Sequence, residues 1–142
     1  MKRALALANE AENDGEVPVG AVIELDGEII GQGYNRSIGT SDPSAHAEII
    51  AMRDAGVKLE NYRLTGSVLY ITLEPCIMCY TAAVHARIKK VVYGAADPKS
   101  GIFSTAAFGK IKNIFNHSIE IESGVLKKES SELLKIFFRS RR

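Results

Sequence analysis

The sequence has little of what stabilises secreted or membrane proteins. Its 142 residues include only two cysteines, four prolines and no tryptophan, and the formal net charge is +1. The two cysteines lie so close in the chain that a disulfide would close a very short loop, so a disulfide scaffold is not expected. The small net charge gives no overall attraction to nucleic acid, and any such binding must come from local basic clusters.

Long apolar runs are missing as well. The apolar stretch near the N-terminus stops at Asn9, and no small-residue cleavage site follows, so it differs from a signal peptide. Its spacing indicates the buried face of a helix instead. No stretch reaches the length of a membrane span. We therefore expect a cytoplasmic protein with no membrane partner, folded as a single domain over residues 1–142.

Apolar runs and turn signals predict an α/β fold. Predicted helices are an opening segment that ends near residues 13–15, a segment over 45–55 with Gly56 just past its end, a segment with Pro75 in its first turn, and 129–142. Predicted strands cover residues 19–25, 28–34, 68–73, 91–93 and 119–121. Asp26-Gly27 joins the first two strands as a hairpin. This order indicates a three-layer α/β/α sandwich around a mixed sheet of about five strands.

Two short motifs carry the chemistry. His46 and Glu48 stand in the first, and Cys76 and Cys79 follow Pro75 in the second. One histidine and two cysteines suit a catalytic zinc, which takes three protein ligands and leaves a fourth position open. Both motifs are predicted at helix starts, where the helix dipole favours a thiolate. Glu48 then remains available as a general acid and base.

The Cys-x-x-Cys pair by itself does not identify a catalytic zinc site. Such pairs also occur in structural zinc sites and in redox centres, although a redox role lacks a thioredoxin-like context. A structural site needs a fourth ligand, and neither His85 nor His117 has a partner at ligand spacing. Carboxylates are still available as a fourth ligand. The full pattern H-x-E…P-C-x-x-C is typical of zinc-dependent nucleobase deaminases.

Beyond these motifs, the chain resembles the bacterial tRNA-specific adenosine deaminases over nearly its whole length. The most specific matching segments are Tyr34-Asn35-Arg36, Asp42 to Ile49, Asn61 to Leu64, Thr72 to Cys79 and Arg87 to Ala95. The resemblance implies a cytidine-deaminase-like fold and one Zn²⁺ per subunit. It also implies hydrolytic deamination of adenosine to inosine at the wobble position of a tRNA anticodon, by a homodimer with the tRNA site near the subunit interface.

The resemblance also implies a role for each matching residue. His46, Cys76 and Cys79 would bind zinc, and Glu48 would move protons. Asn35 would hydrogen-bond the target base, or it stands there for turn geometry. The Ala47 N–H is a further donor to the purine, and Asp97 would lie near the neighbouring nucleotides or cap a turn.

Substrate contacts and competing functions are the open questions. Phe103, after Ile102, is expected either to stack on a base or to pack against the body of the protein. Two basic groups, Arg87 with Lys89 and Lys90, and Arg139 with Arg141 and Arg142, could follow tRNA phosphates if the fold and the dimer bring them to one side. The competing functions are a deaminase of free guanine and a non-catalytic, zinc-bearing RNA-binding subunit.

Overall fold

A mixed five-stranded sheet forms the centre of the computed structural model, which describes residues 1–142. The strands are β1 (Gly20–Leu25), β2 (Glu28–Tyr34), β3 (Val68–Leu73), β4 (Lys90–Ala95) and β5 (Glu120–Ser123), in the order β2-β1-β3-β4-β5. β1 pairs antiparallel with β2 and β3, whereas β3, β4 and β5 run parallel. The predicted mixed sheet and the Asp26-Gly27 hairpin are confirmed.

Helices cover both faces of this sheet. They are α1 (Lys2–Asn13), α2 (Ala47–Leu59), α3 (Ile77–His85), α4 (Phe108–Ile111) and α5 (Lys127–Ser140), with a 3-10 turn over Lys112–Ile114. α1 and α5 contact each other and one face, and α2 and α3 contact each other on the opposite face. The predicted three-layer sandwich is therefore confirmed. None of the helices is both long enough and apolar enough to cross a bilayer.

Side chains of β1 alternate between the two layers, as the two-residue period of a strand requires. Val22 packs with Ala4 and Leu7 of α1, whereas Ala21 and Ile23 belong to the main core beneath α2. Burying an isoleucine such as Ile23 contributes about 1.5–3 kcal/mol. Because of this alternation, Ala21 and Ile23 face the α2 side of the sheet, where the metal ligands lie, and Val22 faces the α1 side.

The close approach of α2 to β2 depends on two glycines. A Cβ on Gly33 would lie 2.8 Å from the Ala47 carbonyl oxygen, and a Cβ on Gly31 would overlap the carbonyl oxygen of Ala51. No side chain fits at either position, so the helix backbone lies directly on the strand. This contact places the start of α2 over the edge of the sheet.

α2 begins and ends later than the sequence predicts. It starts at Ala47 rather than residue 45, because Ser44 bonds to the Asp42 carboxylate in a turn outside the helix. It then continues through Gly56, and the left-handed cap is Glu60, with φ of 51°. A glycine inside a helix costs only about 1 kcal/mol relative to alanine, so Gly56 did not have to end it.

Two further predictions near α3 and α4 need correction. Pro75 lies before the N-cap of α3 and not in its first turn. α4 and the following 3-10 turn were not predicted, because each is too short to show a helical period. Phe108, Ile111 and Phe115 of this region pack against the main core, so tertiary contacts decide its conformation.

Candidate metal centre

Three predicted ligands meet at one point of the fold. The Nδ1 atom of His46 lies 3.7 Å from Sγ of Cys76 and 3.5 Å from Sγ of Cys79. All three ligand atoms lie within 4.8 Å of one another. Zinc bonds of about 2.3 Å to sulfur and about 2.0–2.1 Å to nitrogen give tetrahedral N···S edges of about 3.5–3.6 Å. The residues present therefore fit a zinc ion.

Two of these ligands occupy helix caps. His46 is the N-cap of α2, with φ −75° and ψ 153°, and Cys76 is the N-cap of α3, with φ −76° and ψ 172°. The sequence predicted His46 and Cys76 inside the first turns of these helices. In the structure the backbones of His46 and Cys76 are extended, and Cys79 and Glu48 are helical. Both helices direct their positive ends toward the ligand cluster, which favours thiolate over thiol.

The two thiols differ in acidity. A hydrogen bond from Cys79, together with a weaker one from His46, lowers the pKa of Cys76 to about 4. The pKa of Cys79 is raised, because its thiol donates that hydrogen bond and is buried. Bound zinc deprotonates a coordinating thiol outright. Cys76 is therefore a thiolate at neutral pH, and Cys79 is a thiol that zinc binding would deprotonate.

Glu48 is a buried carboxyl beside the ligands. It lies in the first turn of α2 and is 4% exposed. The pKa of Glu48 is raised to about 7, mainly by burial and also by the negative charge of Cys76, against the lowering effects of a backbone hydrogen bond and of the positive charge of His46. A carboxyl with a pKa near neutrality can both accept and return a proton at the working pH.

Asn35 and Ala47 are bonded to each other. The backbone N–H of Ala47 donates to Oδ1 of Asn35 at 2.9 Å. Asn35 follows β2 directly, so this bond ties the strand end to the start of α2 and next to His46. This contact across twelve residues differs from the turn geometry considered for Asn35, and the amide NH₂ of Asn35 makes no hydrogen bond within the protein.

The segment after β4 is held by hydrogen bonds within its own turn and by packing against the protein core. Oδ1 of Asp97 accepts the N–H groups of Lys99 and Ser100 at 3.0 and 3.1 Å, so Asp97 caps a turn. Phe103 stacks on Tyr93 and meets Tyr80 edge-on. Of its two predicted roles, Phe103 therefore takes packing against the body of the protein. Ile102 is 2% exposed and belongs to the core.

Two buried glutamates were missed at the level of sequence. Glu16 accepts the N–H groups of Ile38 and Gly39, and Glu74 accepts those of Asp97 and Ser104. Glu74 had one available signal, an acidic residue between an apolar strand and the Pro-Cys motif. Glu16 had none, because its partners lie in a loop far along the chain.

The two basic groups do not converge within one chain. Lys90 is the first residue of β4 and pairs with Glu122. Residues 96–100, beyond the other end of β4, line a cleft of about 830 Å³ together with Arg139, Arg141 and Arg142. Of the other histidines, His117 bonds to the Ile88 carbonyl oxygen, and neither it nor His85 joins the ligand cluster.

Residues 1–95 match the cytidine and deoxycytidylate deaminase zinc-binding region, and the match includes all three ligands and Glu48. The chain belongs to this deaminase family. The matched region is a zinc-binding region, in agreement with the ligand geometry of His46, Cys76 and Cys79.

Comparison with individual proteins shows which deaminases the chain is similar to. A tRNA-specific adenosine deaminase of Haemophilus influenzae is 50% identical over all of this chain and 83% of its own length. A solved structure from work on A-to-I editing by tRNA:A34 deaminases is 42% identical, with a TM-score of 0.90 over 94% of this chain and 97% of its own. A guanine deaminase from Bacillus subtilis is 35% identical, with a TM-score of 0.65 over 99% and 90%.

Removing one thiol should remove the metal from the deaminase. We expect about one zinc per chain in the wild type and severe loss in Cys76→Ala, because only two protein ligands remain. Metal analysis of the purified proteins measures this. Met78→Leu, between the two cysteines, is the control and should keep its zinc. Unchanged zinc in Cys76→Ala would exclude Cys76 as a ligand.

Two substitutions separate the roles of Asn35. Asn35→Ala should lower turnover with zinc intact, because both the Ala47 contact and the free amide are lost. Asn35→Asp keeps an oxygen for the Ala47 N–H but loses the NH₂ donor. If the amide binds substrate, both variants are slow. Wild-type kinetics for Asn35→Asp would leave only the structural role.

Proposed function

We propose that this deaminase converts adenosine to inosine at the wobble position of a tRNA anticodon, with water consumed and ammonia released. The observation that carries the proposal is the ligand cluster of His46, Cys76 and Cys79 with the buried Glu48 beside it. The similarity to named tRNA-specific adenosine deaminases supports the choice of substrate.

His46, Cys76 and Cys79 would hold the zinc ion. When bound, zinc acts as a Lewis acid that lowers the pKa of water to about 7, which supplies hydroxide at neutral pH. Three protein ligands are the number typical of catalytic zinc sites, so these residues would leave room for water. The aromatic packing of Phe103 on Tyr80, the residue after Cys79, holds this part of α3 in place.

Glu48 is proposed to carry the protons. It would take one proton from water and deliver it to the ring nitrogen of adenine. It would then take the second proton from the hydroxyl group added to the ring carbon and pass it to the amine, which leaves as ammonia. One carboxyl can serve every step if its pKa lies near the working pH, and burial raises the pKa of Glu48 toward that range. Its place on the first turn of α2, two residues after His46, keeps it beside the metal.

Asn35 and Ala47 are proposed to orient the base. The amide NH₂ of Asn35 is the available donor, because its Oδ1 is already occupied by the Ala47 N–H. For that N–H to reach the purine, it would have to leave Asn35. A base stacked in an anticodon loop cannot reach such a site, so the adenine is expected to flip into it.

The cleft between residues 96–100 and the end of α5 is proposed to take the RNA backbone. Asp97 is its only acidic lining residue, whereas five cationic residues line it: Lys99, Lys135, Arg139, Arg141 and Arg142. Such a clustering of cations attracts phosphates although the chain as a whole is nearly neutral, and binding should weaken as salt rises. Asp97 would then lie near the nucleotides that flank the target.

We further propose a homodimer of single-domain subunits, each domain spanning residues 1–142, in the cytoplasm. Val57 and Tyr62, at and just beyond the end of α2, are 78% and 70% exposed, and Ile77 at the start of the neighbouring α3 is 53% exposed. Large apolar side chains on one helical layer are typical of interfaces. Thiols kept free as metal ligands suit a reducing compartment. Sedimentation of the purified protein distinguishes monomer from dimer.

A deaminase of free guanine is the second candidate, favoured by the solved guanine deaminase that is 35% identical. The basic cleft argues for RNA, since a free base carries no phosphate to bind there. A zinc-bearing subunit that only binds RNA is disfavoured, because Glu48 has no purpose without chemistry.

The deciding experiment offers both substrates to the zinc-loaded protein. An anticodon stem-loop with adenosine at the wobble position should be converted to inosine, as read by sequencing. The same stem-loop with its adenosine moved to another loop position is the control and should remain unchanged. Release of ammonia from guanine with no inosine in either RNA would replace the tRNA proposal with the guanine one.

Glu48→Gln tests the proton carrier. We expect zinc content to be unchanged and turnover of the stem-loop to fall by about 10²–10⁴-fold, because glutamine cannot take up the water proton. Glu60→Gln, at the exposed end of the same helix, is the matched control. A near-normal rate in Glu48→Gln would refute the assignment.

A further inference from the structure

Glu74 is a buried carboxyl that is not among the metal ligands. It follows β3, precedes Pro75, and is 3% exposed. One carboxylate oxygen accepts the N–H of Ser104 at 2.7 Å. The other accepts the N–H of Asp97 at 2.8 Å and the hydroxyl of Ser104 at 2.7 Å. None of the salt bridges of the chain includes Glu74, so backbone and hydroxyl donors alone satisfy it.

These bonds hold the two ends of one segment, residues 97–104, here named the rim loop. Its middle is tied to the same stretch of chain as Glu74. The Ile102 N–H donates to the Pro75 carbonyl oxygen at 2.9 Å, and Gly101 forms a β-bridge with Cys76. The rim loop is thus fastened to Glu74, Pro75 and Cys76 in succession, directly at a metal ligand.

The fit between the carboxyl and the rim loop is close. A Cβ on Gly101 would overlap the carboxyl carbon and both carboxylate oxygens of Glu74. The carboxyl group therefore fills the space that a side chain at position 101 would need. Because Glu74 is buried and bonded at both oxygens, it cannot swing aside without breaking these bonds.

We propose that Glu74 is a positioning residue that fixes the rim loop against Cys76 and thereby sets which nucleotides are accepted beside the target adenosine. This rests on the proposed function. The outward part of the rim loop, Pro98 to Ser100, is exposed and lines the basic cleft. Small displacements of positioning groups are costly, so we expect a shift of this part of the rim loop to reduce affinity and selectivity for the RNA.

The first test is amide hydrogen exchange and needs no substrate. In the zinc-loaded Glu74→Gln variant, the amides of Asp97 and Ser104 should exchange at least about tenfold faster, since each loses a bond to a charged acceptor. The amides of Ile38 and Gly39, held by Glu16 in the same manner, are the internal control and should stay protected. Glu16→Gln should give the converse pattern.

The second test measures selectivity. For Glu74→Gln we expect KM for the stem-loop to rise about tenfold. The ratio of kcat/KM between stem-loops that differ only in the nucleotides flanking the target should move toward one. Zinc content should not change. A purely structural role would lower stability without altering that ratio.

Glycine substitutions give a second route if Glu74→Gln does not fold. Gly101→Ala should displace the carboxyl and reproduce the effects on exchange and selectivity. Gly109→Ala, with no atom within 4 Å of the added Cβ, is the matched control.

Wild-type exchange at Asp97 and Ser104, wild-type selectivity, or loss of zinc would each overturn the proposal. If no stem-loop is deaminated by the wild type, the proposed function fails, while amide exchange still decides whether Glu74 anchors the rim loop.

Discussion

The position of α2 on the sheet is the constraint on which the rest of the site depends. His46 and Glu48 can meet the two cysteines only if the start of α2 lies against the sheet beside α3. Gly31 and Gly33 permit this, because a Cβ at either position would collide with the helix backbone. The bond from the Ala47 N–H to Asn35 then fixes the first turn to the end of β2. The packing of α2 on β2 therefore determines where the candidate ligands and Glu48 lie.

Placing ligands at helix caps has an electrostatic consequence. His46 and Cys76 stand at the N-termini of two helices, where the positive ends of the helix dipoles lie. That field and the neighbouring groups favour a thiolate at Cys76, while burial disfavours charge on Glu48. The surroundings therefore lower the pKa of Cys76 and raise the pKa of Glu48. A metal ligand needs a stable anion, and a proton carrier needs a pKa near neutrality.

Two further carboxyls hold loops rather than metal. Glu16 bonds to the loop that precedes His46, and Glu74 bonds to the rim loop that follows β4. Both are buried, and both are satisfied by backbone N–H groups, which avoids the cost of an unpaired buried charge. The regular elements position the metal ligands, and these two side chains position the loops around them.

The sequence by itself determined the order of the five strands and of four of the five helices, the hairpin at Asp26-Gly27, the three candidate ligands and the nearby carboxyl of Glu48. These follow from short-range patterns: period-two and helical spacing, turn residues and ligand spacing. Only the tertiary structure decided that His46 and Cys76 are caps, that α2 passes through Gly56, and that Phe103 packs inward. The roles of Glu16 and Glu74 belong to the same group. Both roles depend on groups more than twenty residues apart in the chain, and no local pattern encodes a contact at that separation.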